Sequence, residues 1–141
     1  MEASRPRAVL FACSLNSTRS PMAEGLTRLA FGPAMTVASA GLRAAEMDGF
    51  VLCVLAESGM DMTRHVPRTL DEVDLAQFDL VVALSPEAHG RVLELTRDLG
   101  VPVEYWPTED VTHFDGARDQ KLAAYRQVRD RLMDRIKQRF S

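Results

Sequence analysis

Ala8-Val9-Leu10-Phe11-Ala12-Cys13-Ser14-Leu15-Asn16-Ser17-Thr18-Arg19-Ser20-Pro21-Met22-Ala23 is the stretch that decides the fold. Ala8 to Ala12 is a continuous apolar run, the pattern of a strand covered on both faces. Cys13 to Ser20 is small or polar except for Leu15. It runs directly into a helix, with Ser20 as the expected N-cap and Pro21 at the first helical position, where its missing N–H costs nothing. Met22, Leu26, Leu29 and Ala30 keep helical spacing until Gly32-Pro33 stops the helix.

The same alternation continues outward. Met35–Ala40 reads as a second strand and Met47–Ser58 as a helix ended by Gly59. Phe78–Leu84 is the strongest buried-strand signal, because β-branched and aliphatic residues dominate it. Pro86 opens a helix running to about Leu99 with Gly100 behind it, and Val101–Trp106 reads as a short fourth strand. Pro107–Gly116 is an acidic loop. From Ala117 to Phe140 an amphipathic helix carries Leu122, Tyr125, Val128, Leu132, Ile136 and Phe140 on one stripe. Six of its basic residues (Arg126, Arg129, Arg131, Arg135, Lys137, Arg139) read as a solvated face. Asp71, Glu72 and Asp74 beside Arg68 read as a helix N-terminal turn.

This order implies one α/β domain over residues 1–141, a three-layer arrangement with a four-stranded parallel sheet and helices on both faces. Such sheets bind ligands beyond the carboxyl ends of their strands, where the chain reverses direction across the sheet. The loop Cys13–Ser20 leaves the end of the first strand and is therefore the expected site.

With 141 residues the chain can bury a core without covalent staples. Its 17 basic and 20 acidic residues give a net charge of −3, so there is no overall positive field to hold nucleic acid. No apolar run approaches the roughly 20 residues of a membrane span, and Met1 to Arg7 is not followed by a signal-peptide core. Cys13 and Cys53 are far apart with no C-x-x-C, which argues against a disulfide framework or a zinc site. His65, His89 and His113 are too scattered to suggest a metal cluster. The expectation is a cytoplasmic protein with neither cofactor nor metal, and with no nucleic-acid or membrane partner.

The loop itself carries the chemistry. A cysteine, five residues, an arginine and a serine stand immediately before a helix. A loop entering a helix N-terminus aims several N–H groups at one point, and the helix dipole favours an anion there. Arg19 adds a planar fork that can grip two oxygens of a tetrahedral oxyanion. Cys13 lies in the same field, which favours a negative sulfur, and Ser20 is placed to donate a hydrogen bond to it. A thiolate beneath a bound phosphate is a nucleophile aligned on phosphorus. Cysteines after strands are often small buried hydrophobes. The strand before Cys13, the helix after it and the polar loop between favour the oxyanion-binding reading.

Val9 to Cys13, Asn16, and Arg19-Ser20-Pro21-Met22-Ala23-Glu24-Gly25-Leu26 together resemble the signature of the low-molecular-weight protein tyrosine phosphatase family, including its arsenate reductase branch. Supporting matches are Ser39-Ala40-Gly41, Gly59-Met60-Asp61, His65, Arg68, Phe78 to Val81, Trp106 to Asp110, Gly116, and Tyr125 to Asp130. The resemblance implies a cysteinyl-phosphate mechanism that needs no metal. Cys13 attacks phosphorus, while Arg19 and the amides of Ser14, Leu15, Asn16, Ser17, Thr18, Arg19 and Ser20 hold the oxygens. Ser20 stabilises the thiolate, Asn16 braces the loop with His65 behind it, and Asp110 is the general acid and then the base. The implied partners are a phosphorylated protein or small aryl phosphate, with inorganic phosphate and other tetrahedral oxyanions as inhibitors.

The sequence departs from that pattern at four places. Leu15 stands where the family has glycine, and Thr18 where many phosphatases have a second loop cysteine. Asp110 is followed by Val111 rather than proline, so Glu109 and Asp115 stay open as the acid. Leu42 to Glu46 offers no Trp or Tyr as a wall for a phosphotyrosine ring. The tail resembles the arsenate reductase branch. However, Ser85 and Val92 stand where the thioredoxin-coupled reductases carry their redox cysteines, and Cys53 sits among apolar neighbours as a core residue does. The reading is therefore a phosphomonoester hydrolase, acting most simply on phosphotyrosine. The alternatives are an arsenate reductase of the same fold and a non-catalytic phosphate or phosphopeptide binder.

Overall fold

The computed structural model describes residues 5–141, so Met1 to Ser4, which open the charged N-terminal stretch, lie outside the described residues. Four strands, β1 (Ala8–Cys13), β2 (Thr36–Gly41), β3 (Leu80–Ala83) and β4 (Val103–Tyr105), form an all-parallel sheet in the order β2-β1-β3-β4. The helices are α1 (Arg19–Phe31), α2 (Gly49–Glu57), α3 (Pro86–Thr96) and α4 (Arg118–Phe140). The three-layer α/β expectation holds.

Strand alternation divides the core into two. Val9, Phe11 and Cys13 face a cluster built from Met22 and Leu26 of α1, Val51, Val54 and Leu55 of α2, and the stripe of α4. All six stripe residues are buried. Leu10 and Ala12 face the opposite side, against Ala88 and Val92 of α3 with Leu70 and Leu75. Trp106 is a core residue, edge-on to Phe11 with ring centres 5.9 Å apart and also packed on Phe140. Cys53 is partly buried against the first cluster.

The chain leaves β1 for β2 on one side and later returns to β3 on the other, so the reversal lies between β1 and β3. The Cys13–Ser20 loop emerges there, with Ser85 at the end of β3 facing it (Ser14 Oγ to Ser85 Oγ, 3.2 Å). Several strand and helix ends fall inside the expected ranges. At β4, Pro102 has no N–H to donate, and only Val103 to Tyr105 pair with β3.

Four expectations need correction. Ser20 is not the N-cap: Thr18 holds that position without a side-chain cap bond, and Ser20 lies inside α1 with its hydroxyl turned to Cys13. Pro21 is consequently the third helical residue, still within the turn whose N–H groups have no helical acceptor. The acidic cluster after Arg68 forms two short 3-10 turns, Leu70–Glu72 and Leu75–Gln77, rather than opening a longer helix. The basic residues of α4 are not simply solvated. Arg126 and Arg129 both grip Glu57, Arg139 grips Glu104, Arg131 lies 3.8 Å from Glu109, and Arg135 stacks over Trp106.

Candidate active site

The loop between β1 and α1 is held from behind by residues 42–48. The N–H groups of Leu42, Arg43, Ala45 and Asp48 donate to the carbonyls of Cys13, Ser14, Leu15 and Ser17 at 3.0–3.1 Å. In a trans peptide the next N–H points opposite to the carbonyl. Fixing these four carbonyls outward therefore turns the N–H groups of Ser14, Leu15, Asn16 and Thr18 inward, toward one point at the start of α1. Backbone N–H groups converging in this way are the arrangement that favours an anion. Gly41 makes the close approach possible, since a Cβ there would lie 2.6 Å from the Asn16 nitrogen and 2.8 Å from the Leu15 carbonyl carbon. Asn16 is the only non-glycine residue with positive φ among the described residues, at 49°, a conformation asparagine tolerates. Leu15 does not need the left-handed region, which is why a leucine can stand where the family has glycine.

Cys13 is buried, with the Ser20 hydroxyl 2.8 Å from its sulfur and the Ser20 N–H donating to it at 3.4 Å. The proton's direction follows from the neighbours. The Asn16 Oδ1 accepts from the Arg68 N–H at 2.9 Å, so the Asn16 amide nitrogen must be the donor to Ser20 Oγ and Ser39 Oγ, each at 2.9 Å. Ser20 Oγ already receives one proton, and its own O–H has the sulfur at 2.8 Å and the Ala40 carbonyl only at 3.5 Å. The sulfur is the better acceptor.

The chain of bonds continues. Ser39 donates to Glu24 at 2.6 Å, and Arg28 closes on the same carboxylate at 2.7 Å. His65 Nε2 lies 3.1 Å from Asn16 Oδ1, an acceptor, which assigns the proton to Nε2. Burial, with Arg28 and Arg68 adding to it against the pull of Glu24, holds His65 below the usual histidine range. It is a neutral brace, with Nδ1 3.8 Å from Glu24.

Arg19 is almost fully buried and donates to the Thr108 carbonyl at 3.2 Å, with Ser14 Oγ at 3.5 Å and Asp110 Oδ2 at 3.9 Å. Asp110 caps the short turn Val111–His113, and its Oδ1 accepts from the Thr112 N–H and hydroxyl at 3.0 and 2.6 Å. Burial opposes ionisation of Asp110. The Thr112 hydrogen bonds and the charges of Arg19 and His113 outweigh it and hold the carboxyl below the usual range. Cys13, Ser14, Leu15, Ser17, Thr18, Arg19, Asp110 and Thr112 line a single small cavity of about 50 Å³. No aromatic side chain lines it.

Of the three acidic residues left open, only Asp110 lines this cavity. Glu109 turns toward Arg131 and lines a separate hollow with Trp106 and Leu132, while Asp115 is exposed. Cys53 lines another hollow, with Asp48, Phe50 and Arg118. Sequence reasoning assigned no role to Ser39, Glu24, Thr108, Thr112 or Asp48. Each is an ordinary polar residue in its own stretch of sequence, and only its contact across the fold distinguishes it. Among the described residues no three His, Cys, Asp or Glu side chains are gathered to hold a metal ion, and no helix is long and apolar enough to cross a membrane.

The family model described as low molecular weight phosphotyrosine protein phosphatase matches residues 8–140. An arsenate reductase from Halalkalibacterium halodurans is 33% identical over 131 residues, covering 93% of each chain. The crystal structure of arsenate reductase from Archaeoglobus fulgidus superimposes with a TM-score of 0.72 at 32% identity, covering 92% of this chain and 96% of that one. An arginine phosphatase from Geobacillus stearothermophilus gives 0.77 at 26%, covering 94% and 89%.

Proposed function

The chain belongs to the low molecular weight phosphotyrosine protein phosphatase family, and we propose that it hydrolyses phosphomonoesters through a cysteinyl-phosphate intermediate on Cys13. The observation carrying this reading is that the sulfur, the Arg19 guanidinium and the Asp110 carboxyl line one cavity sized for a small oxyanion. In the first step the Cys13 thiolate attacks phosphorus and the bond to the leaving oxygen breaks. Asp110 protonates that oxygen. Arg19 and the inward N–H groups hold the three equatorial oxygens as charge builds on them. In the second step Asp110 takes a proton from water, which displaces sulfur and releases phosphate. Ser20 stabilises the departing thiolate.

Asp110 must be protonated for the first step, yet the Thr112 hydrogen bonds, with Arg19 beside them, hold its carboxyl below the usual range. A bound phosphoryl dianion works against this lowering. It engages Arg19 and places negative charge beside the carboxylate, both of which favour the protonated acid. The substrate thus prepares its own proton donor. With no ring bounding the cavity, selectivity rests on the phosphoryl group more than on an aromatic leaving group. Phosphotyrosine, phosphoserine and phosphoarginine belong in the same screen.

Arsenate reduction is the second reading, supported by the relatives named arsenate reductases. Arsenate fits the same cradle, but its reduction to arsenite takes two electrons and hence two thiols. Cys53 lines a different hollow, so the second thiol would have to be a small external one. The test compares the purified protein and Cys13→Ser on para-nitrophenyl phosphate, the three phosphoamino acids, and arsenate with a small thiol. Ester turnover that Cys13→Ser abolishes supports the proposal. Arsenate consumption with no phosphatase turnover overturns it in favour of the reductase, and phosphate binding with neither reaction points to a binding module.

A further inference from the structure

Asp48 joins three elements at the back of the loop. Its N–H donates to the Ser17 carbonyl at 3.1 Å, and its Oδ1 caps α2 by accepting the Phe50 N–H at 2.9 Å. Its Oδ2 accepts from the Thr18 hydroxyl at 3.3 Å and from the phenol of Tyr125, on α4, at 2.6 Å. Tyr125 and Thr18 are both buried. The Tyr125 ring is fixed by Phe50, 5.2 Å away, which in turn lies under the cations of Arg118 and Lys121. Nothing in the chemistry above uses the Tyr125 phenol or the Asp48 carboxylate.

A carboxylate here is awkward. It holds the Thr18 hydroxyl, and so the turn that feeds the inward N–H groups, but it also places negative charge beside a cradle meant for an anion. The short phenol bond and the α2 N-terminus both draw that charge away from the loop. We propose that Tyr125 is a positioning residue for the oxyanion loop, which acts by holding and muting the Asp48 carboxylate so that the loop keeps its shape without repelling the phosphoryl group. The burial of the phenol and its bond to Asp48 push the Tyr125 pKa well above the tyrosine range, and Asp110 adds to that shift, so the phenol keeps its proton.

The inference rests on the loop being an oxyanion site, and its test separates the two claims by using inorganic phosphate as the probe alongside turnover. Tyr125→Phe, Asp48→Asn and the double variant are compared in the full chain by calorimetric phosphate binding and by para-nitrophenyl phosphate kinetics. Asparagine still caps a helix, so Asp48→Asn removes charge and leaves α2 closed. Tyr125→Phe is expected to weaken phosphate binding and raise KM by about tenfold, the loss of one hydrogen bond to a charged group, with kcat changed by less than about threefold. Adding Asp48→Asn to it restores phosphate affinity to within about threefold of the parent, because the unmuted charge is gone. A double variant as weak as Tyr125→Phe, or an unchanged Tyr125→Phe, overturns the proposal. If Tyr125→Phe does not fold, Asp48→Asn alone decides. Phosphate binding equal to or tighter than the parent's supports muting, and a tenfold loss refutes it. A parent protein that binds phosphate yet hydrolyses nothing fails the functional reading while leaving this comparison intact.

Discussion

The hydroxyl of Ser20 stands 2.8 Å from the sulfur of Cys13, and its proton is steered there because Asn16 already donates to the same oxygen. This pair joins the first turn of α1 to the end of β1. It places one directed donor on the atom proposed to carry the phosphoryl group.

Ser20→Ala removes that donor while leaving the Ser20 backbone N–H in place. A hydrogen bond to a charged group contributes about 1.5–3 kcal/mol, so turnover is expected to fall roughly 10- to 150-fold. Sulfur is the leaving group of the second step, so hydrolysis of the intermediate slows most. A rapid-quench experiment then shows a nitrophenol burst followed by a slow steady state. Equal slowing of both phases argues against this role.

Thr112→Val deletes the 2.6 Å hydroxyl bond to Asp110 and keeps the backbone one. That bond lowers the Asp110 pKa, so its loss lets the carboxyl return toward the usual range and stay protonated to higher pH. The pH profile of kcat/KM reports the free protein. Its limb belonging to the acid is expected to move to higher pH in the variant. An unmoved limb removes Asp110 from the mechanism.

His65 gives the fold a pH signature. Its folded pKa lies below the ordinary 6.5, so the unfolded chain binds its proton more readily. The stability it contributes is complete above pH 6.5 and is lost as pH falls from there through the lowered folded value. The melting temperature of the parent should fall between pH 7.5 and pH 5.5 more steeply than that of His65→Gln, whose amide can still donate to Asn16. Parallel curves would exclude His65 as the source.

Gly41→Ala tests the close approach. The new methyl would lie 2.6 Å from the Asn16 nitrogen, a backbone atom that cannot step aside without moving the loop. Overpacking of this kind costs about 1–3 kcal/mol, seen as a lower urea midpoint with an unchanged slope. The displaced amides should weaken phosphate binding by at least about tenfold, and unaltered binding would mean the Asn16 amide does not hold the oxyanion.

The site was unevenly legible in the sequence. Cys13, Arg19 and Ser20 were legible because a strand, a short polar loop and a helix start follow one another without interruption. That local order places the loop at a helix start, and the bonds from residues 42–48 to its carbonyls then turn the backbone N–H groups inward. Asp110 was preferred as the acid by resemblance alone, with Glu109 and Asp115 left open. What sets it apart in the fold is α4 and the Val111–His113 turn, which face Asp110 to the cavity, Glu109 to Arg131 and Asp115 to solvent. Ser20 was read as a helix cap because local rules favour that position for serine. Tertiary contact overrode the rule: Asn16 and Cys13 claimed its side chain, and the helix began two residues earlier.

Periodicity and punctuation alone determined the parallel sheet, the two-sided burial of β1 and the six buried residues of α4, since each depends on spacing along one segment. What only the folded molecule decided were the pairings between segments: Asn16 with His65, Asp48 with Tyr125, and Arg126 and Arg129 with Glu57. A polar side chain shows no preference for a distant partner in its own neighbourhood of sequence. Its partner is set by which elements the hydrophobic core forces together, and the bond forms because a polar group buried there without one would be costly.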